Sequence, residues 1–163
     1  MSKRPKTESA TEADSKIYFE DIDVDSQFES GWYRVPRDEV MDFARRWDPY
    51  PHHLDEEIAQ ASLFRGIAAC APHIFAISAR LSHDLPGPLA LIAGLGGDGL
   101  ALLAPVRADS RVRLIRRFTA KRLSQSRPGA GIVSIEDTLY SPEEEALFRT
   151  SGSMLIATRH PSA

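Results

Sequence analysis

Residues 48–55 read DPYPHHLD, with two aspartates, two prolines and two histidines in eight positions. Histidine is the side chain best suited to taking up a proton near neutral pH, since its ordinary pKa is about 6.5. A carboxylate close by can orient the water that such a base deprotonates. Pro49 biases Asp48 away from helical backbone, and Pro51 does the same to Tyr50. The chain from Asp48 to His53 is therefore held out of helix, and the two side chains are free to converge on one point. The plainer reading of the same residues is an ordinary helix stop followed by a surface histidine. Neighbouring proton carriers read differently. His52 is expected to face solvent, and Asp55 to cap the next helix. His73 lies in an apolar stretch, where a hydrogen-bonded structural role is expected. Cys70, the single cysteine, has no base paired with it in the sequence and reads as a small buried residue.

Elements on both sides must position this loop. PRDEVMDFARRW (36–47) carries Val40, Phe43, Ala44 and Trp47 at helical spacing, with Pro36 at its start and Asp38 and Glu39 in its first turn. That helix should stop near Trp47. DEEIAQASLF (55–64) predicts a short helix. IAACAPHIFAISARLSHD (67–84) is the most apolar helical stretch; a helix from about Ala71 to His83 is expected, buried on most faces. Upstream, 17–35 predicts an irregular lead-in and a strand from about Phe28 to Val35. From Ala90 onward the period changes, and four strands are expected within 90–106, 110–123, 131–141 and 145–159. Glycines inside the first mark a bend or a close backbone approach. One apolar helix followed by four strands predicts an α+β domain, an antiparallel sheet around a long central helix.

Bulk properties agree with one ordinary globular domain. The chain has 163 residues, 42% hydrophobic and 26% charged, with a net charge of −3. The acidic balance argues against nucleic acid as a partner. The lone cysteine excludes an internal disulfide and a Cys-x-x-Cys metal site, and points to a reducing, cytoplasmic setting. No membrane span is expected, since no apolar run reaches about 18 residues. The first sixteen residues are polar throughout and predict a disordered tail; 160–163 is expected to form a second, short one. One segment departs from the balance. Between Arg107 and Arg127 lie eight basic residues and one acid, Asp109. These are either a solvated strand face or a landing site for phosphates.

The sequence resembles the MaoC-like dehydratases and (R)-specific enoyl-CoA hydratases of the hotdog fold. YFEDIDVDSQFESGWYRV is similar to the family's N-terminal stretch, and FARRWDPYPHHLDEEIAQAS to its hydratase motif, in which Asp is followed five residues later by His. LFRGIAACAPHIFAISARL resembles the lead into the central helix, and GLGGDGLALLAPVRADSRVRL a strand pair around a Pro-Val turn. The resemblance covers residues 17–159 as a single hotdog domain. It implies cofactor-free, metal-free hydration or dehydration of an enoyl-CoA thioester, with Asp48 and His53 as the catalytic pair. It also implies an oxyanion site at the start of the central helix, at Cys70, Ala71 and Pro72. Under the same reading Arg116, Arg117 and Lys121 would grip coenzyme A phosphates, and two chains would pair as a homodimer. Many relatives have glycine at the helix start and asparagine before the motif's proline; this chain has Ala71 and Tyr50. Rival readings are a hotdog thioesterase and a non-catalytic acyl-CoA-binding subunit.

Overall fold

The computed structural model describes residues 16–160; the N-terminal tail, apart from Lys16, and residues 161–163 of the C-terminal one lie outside the described residues. The elements follow in the order β1 (Gln27–Glu29), β2 (Tyr33–Arg34), α1 (Arg37–Trp47), α2 (Glu56–Ala61), α3 (Ala71–Leu81), β3 (Leu91–Leu102), β4 (Arg111–Leu123), β5 (Ala130–Tyr140) and β6 (Ala146–Ala157). The strands make one antiparallel sheet in the order β1-β4-β5-β6-β3, with β2 also pairing β4. The α+β architecture and the antiparallel sheet around a single apolar helix are as expected.

Two boundaries differ from the sequence reading. The strand expected over 28–35 is two short pieces, because Ser30 interrupts it. The Ser30 backbone N–H donates to the Leu114 carbonyl at 2.9 Å, while its hydroxyl oxygen accepts from the Leu114 N–H at 2.9 Å. A side chain thus completes a rung that backbone would otherwise make. The second helix ends at Ala61 because the Ser62 hydroxyl donates back to the Ala59 carbonyl and accepts from the Phe64 N–H.

Side chains from α3 fill the concave face of the sheet. Ile74, Ile77 and Leu81 pack with Val112, Leu114, Leu139 and Phe148. Alternate residues of β4 and β5 supply the sheet side of that core. A smaller cluster at the other end joins Phe19, Ile22, Phe118, Val133 and Ile156. There Gly131 is required by packing: a Cβ at this position would lie 2.1 Å from the Phe19 ring. α3 is less enclosed than its composition predicts. Phe75 is 49% exposed, and every residue of the edge strand β3 is exposed. Gly97 and Gly152 let β3 and β6 approach so closely that a Cβ on either would meet backbone oxygen within 3 Å. Among the described residues, no helix is long and apolar enough to cross a membrane.

Candidate functional site

α1 delivers Asp48. The helix ends there, with the Asp48 N–H bonded to the Ala44 carbonyl at 2.9 Å and its backbone turned out of helical geometry. Pro49 disfavours helical backbone at Asp48 and so favours the stop. Pro51 then opens one 3-10 turn over Pro51–His53, closed by the His53 N–H donating to the Tyr50 carbonyl at 2.9 Å. The turn points the His53 ring inward, where the residue is only 5% exposed. Asp55 caps α2 as expected, accepting from the Ile58 N–H at 2.9 Å.

The His53 ring is fixed by a second contact. Its Nδ1 lies 2.8 Å from the Ala68 carbonyl oxygen. A carbonyl only accepts, so Nδ1 carries a proton, and in the neutral ring Nε2 then presents a lone pair. That Nε2 lies 3.9 Å from Asp48 Oδ2. The gap is too long for a direct hydrogen bond, and it suits a water that touches both groups at about 2.8 Å.

Both side chains open into a cavity of about 430 Å³, whose wall includes Ala71 and Ile74 of α3 and Leu102 of β3. Ala71 is the first residue of α3, and its N–H has no backbone acceptor among the described residues. An N–H left free at a helix start, reinforced by the helix dipole, attracts developing negative charge. Pro72 supplies no N–H but suits the first turn. Cys70, the N-cap, is 1% exposed, and burial pushes its thiol above the usual value. The cavity thus brings Asp48 and His53 together with Ala71 at the helix start, while Cys70 and Pro72, expected beside Ala71, do not line it.

His52 departs from its expected solvent-facing position. It is half-buried, stacked on Tyr50 at 5.6 Å and against Phe64 at 5.0 Å. Burial, then the neighbouring His53, lowers its pKa from the ordinary value. The aromatic contact with Phe64 comes from beyond α2 and has no local signal in the sequence. His73 is a buried, bonded histidine as expected: Nε2 donates to Glu39 Oε1 at 2.8 Å, and Phe43 stacks on the ring at 4.5 Å.

The three basic residues read as a phosphate grip do not converge. Arg116 is the correction: it is only 6% exposed, faces the inside of the sheet, and bonds Asp137 through Nε at 2.8 Å and Nη2 at 2.7 Å. Strand alternation puts Arg117 on the opposite face, where it pairs with Asp25. Lys121 donates to the Ile22 carbonyl at 2.6 Å. Asp137 and Asp25, both distant in sequence, pair with the two arginines, which is why the basic run looked unspent. Among the described residues, no three His, Cys, Asp or Glu side chains converge on a metal-sized position.

Comparison with known proteins follows the same lines. A family model described as a MaoC like domain matches residues 7–140. The uncharacterized protein YdeM of Bacillus subtilis (strain 168) is 28% identical over 139 residues, 84% of this chain and 96% of that protein. A MaoC-like dehydratase from Rhodospirillum rubrum superposes with a TM-score of 0.81 at 33% identity, over 88% of this chain and 99% of its own. The R-hydratase PhaJ1 from Pseudomonas aeruginosa shares the fold, with a TM-score of 0.67 at 20% identity over 89% and 88% of the two chains.

Proposed function

Because the chain belongs to the MaoC-like dehydratase family, built on the hotdog fold, we propose that it adds water reversibly across the C2–C3 double bond of a trans-2-enoyl-CoA thioester. The observation that carries this reading is the pairing of His53 Nε2 with Asp48 Oδ2 across 3.9 Å, with Nδ1 already committed to the Ala68 carbonyl. Water seated between them loses its proton to Nε2 as its oxygen bonds to C3. Negative charge then develops on the thioester oxygen. The Ala71 N–H at the start of α3 stabilises that charge as it forms. Return of the proton from His53 to C2 completes the addition. The largely apolar lining of the cavity would strengthen each of these interactions once an acyl chain displaces water from it.

Ala71 in place of glycine keeps the N–H and adds one methyl group, which narrows the seat for the thioester. Assay of trans-2-enoyl-CoA substrates graded by chain length tests the proposal. Hydration removes the enoyl absorbance without releasing thiol. Release of free coenzyme A would instead mark a thioesterase, and neither change would mark a binding subunit.

The same reading includes a homodimer. β3 ends the sheet with an unpaired edge, and Leu91, Leu95, Leu100 and Leu102 are each about half exposed there, beside Phe75 of α3. An apolar edge strand of this length invites pairing, and a two-fold partner satisfies it without leaving a new edge. Sedimentation at micromolar concentration should give twice the 18.1 kDa chain mass. A fully active monomer would refute it.

A further inference from the structure

Two helices share the work of the site, and one buried imidazole joins them. α1 carries Asp48, whose N–H is held by the Ala44 carbonyl of that helix. The other parts refer to α3. Ala71 is its first residue, and His53 is tied to the Ala68 carbonyl on the lead into it. The 3.9 Å gap between His53 Nε2 and Asp48 Oδ2 therefore separates a group set by α1 from a group set by the approach to α3.

His73 stands where the helices meet. It is the third residue of α3, two beyond Ala71, and is 2% exposed. From α1, Glu39 and Phe43 reach it together, one helical turn apart. Glu39 Oε1 accepts from His73 Nε2 at 2.8 Å, and the Phe43 ring lies within 7° of parallel to the imidazole at 4.5 Å. Tyr33 of β2 fixes the second carboxylate oxygen by donating to Oε2 at 2.6 Å. This chain of contacts spaces α1 from α3, and it includes no residue of the β3 edge.

Packing alone does not account for an imidazole here. His73 Nδ1 is buried without a hydrogen-bond partner among the described residues. An unmet polar atom in the core costs stability, and an apolar side chain of similar volume would avoid that cost. What an apolar side chain would lose is the directional tie to α1.

We propose that His73 is a positioning residue. Through Glu39 and Phe43 it holds α1 against the start of α3, and so keeps Asp48 at the distance from His53 and Ala71 that activation of water requires. The role rests on the hydratase reading for the meaning of that distance.

Two variants test it. His73→Leu keeps the bulk and removes the bond; His73→Gln has an amide that can donate to Glu39. A misplacement of about 1 Å in a reacting geometry costs about 10²-fold in rate. With trans-2-enoyl-CoA, His73→Leu should lower kcat at least about tenfold and leave KM within about twofold, because the spacing acts on the transition state and not on binding. His73→Gln should recover most of that rate. Glu39→Ala cuts the same link from its half-exposed end, so the double variant His73→Leu/Glu39→Ala should be no slower than the slower single one. A His73→Leu protein that melts lower yet keeps the wild-type kcat would mark a structural histidine and overturn the assignment, as would losses that multiply in the double variant. If His73→Leu does not fold, Glu39→Ala carries the rate test. Ring-nitrogen NMR of His53 reads the spacing without turnover: His73→Leu should move the His53 signals in the direction that Asp48→Asn moves them. Unmoved signals, with the wild type hydrating its substrate, would sink the positioning role and leave the hydratase reading intact. Moved signals in a protein that hydrates no enoyl thioester would sink the hydratase reading and leave the link between the helices standing.

Discussion

Replacing His53 by alanine removes two things at once, the proposed base and the bond from Nδ1 to the Ala68 carbonyl. Their costs have different sizes. Ala68 is 1% exposed, so its carbonyl is left buried and unpaired, at about 1–3 kcal/mol. At about 2–4 °C per kcal/mol for a domain of this size, the melting temperature should fall by about 2–12 °C. A domain with about 5–15 kcal/mol of stability stays folded at assay temperature. Loss of a positioned base costs about 10²–10⁴ in rate, or about 2.7–5.4 kcal/mol of barrier. Turnover should therefore collapse in a protein that is still folded. Asp48→Asn is the companion change. The Asp48 side chain is 26% exposed, so it should melt near the wild type while losing rate. The assay is the decline of enoyl absorbance, run beside thermal melting of each variant. A His53→Ala protein that melts lower but hydrates at the wild-type rate would show His53 to be structural and refute the dyad.

Ala71→Gly removes the methyl beside the free N–H and should preserve or raise hydration, at a helix-propensity cost below about 1 kcal/mol at a terminal position; a large loss in a folded variant would contradict the oxyanion placement. Gly131→Ala forces the Phe19 ring aside and should destabilise by about 1–3 kcal/mol or more, read as a lower melting temperature; unchanged melting would refute that packing. Tyr33 is raised from 10.0 to about 12 by burial and by the Glu39 carboxylate it donates to at 2.6 Å. The folded state therefore disfavours the phenolate, and this contribution to stability is complete below pH 10 and lost as pH rises through about 12. Tyr33→Phe should flatten that part of the stability profile; an unaltered profile would assign the alkaline loss to another group.

The chemistry-bearing loop was legible because its signals are local. Pro49 and Pro51 act on the residues beside them, and the helix that ends at Trp47 announces itself by apolar spacing. The start of α3 was legible for the same reason, with Pro72 in its first turn. What stayed hidden depends on partners far along the chain. Nothing near Arg116 tells that Asp137, 21 residues on, stands opposite it in register. Nothing near His52 tells that Phe64 returns to stack on it after α2. The break at Ser30 is hidden likewise, since its hydroxyl bonds to Leu114 on another strand. Composition also overstated the burial of α3, because an alanine-rich, uncharged face looks the same whether it meets the chain's own core or is left uncovered.

The place of β3 in the sheet sets an order of assembly during synthesis. β4, β5 and β6 follow one another through short connections and can pair as each emerges, since local contacts close small loops. β3 is made before all three, yet its partner is β6: Leu91 waits for Ile156, and Leu102 for Phe148. For that interval an apolar strand has neither edge paired, which is a hazard for clumping between nascent chains. The interruptions in its register near Gly94, Gly96 and Gly97 have a use at that stage. A kinked, glycine-rich strand is a poor template for unrelated strands, so β3 is kept unsociable until β6 arrives.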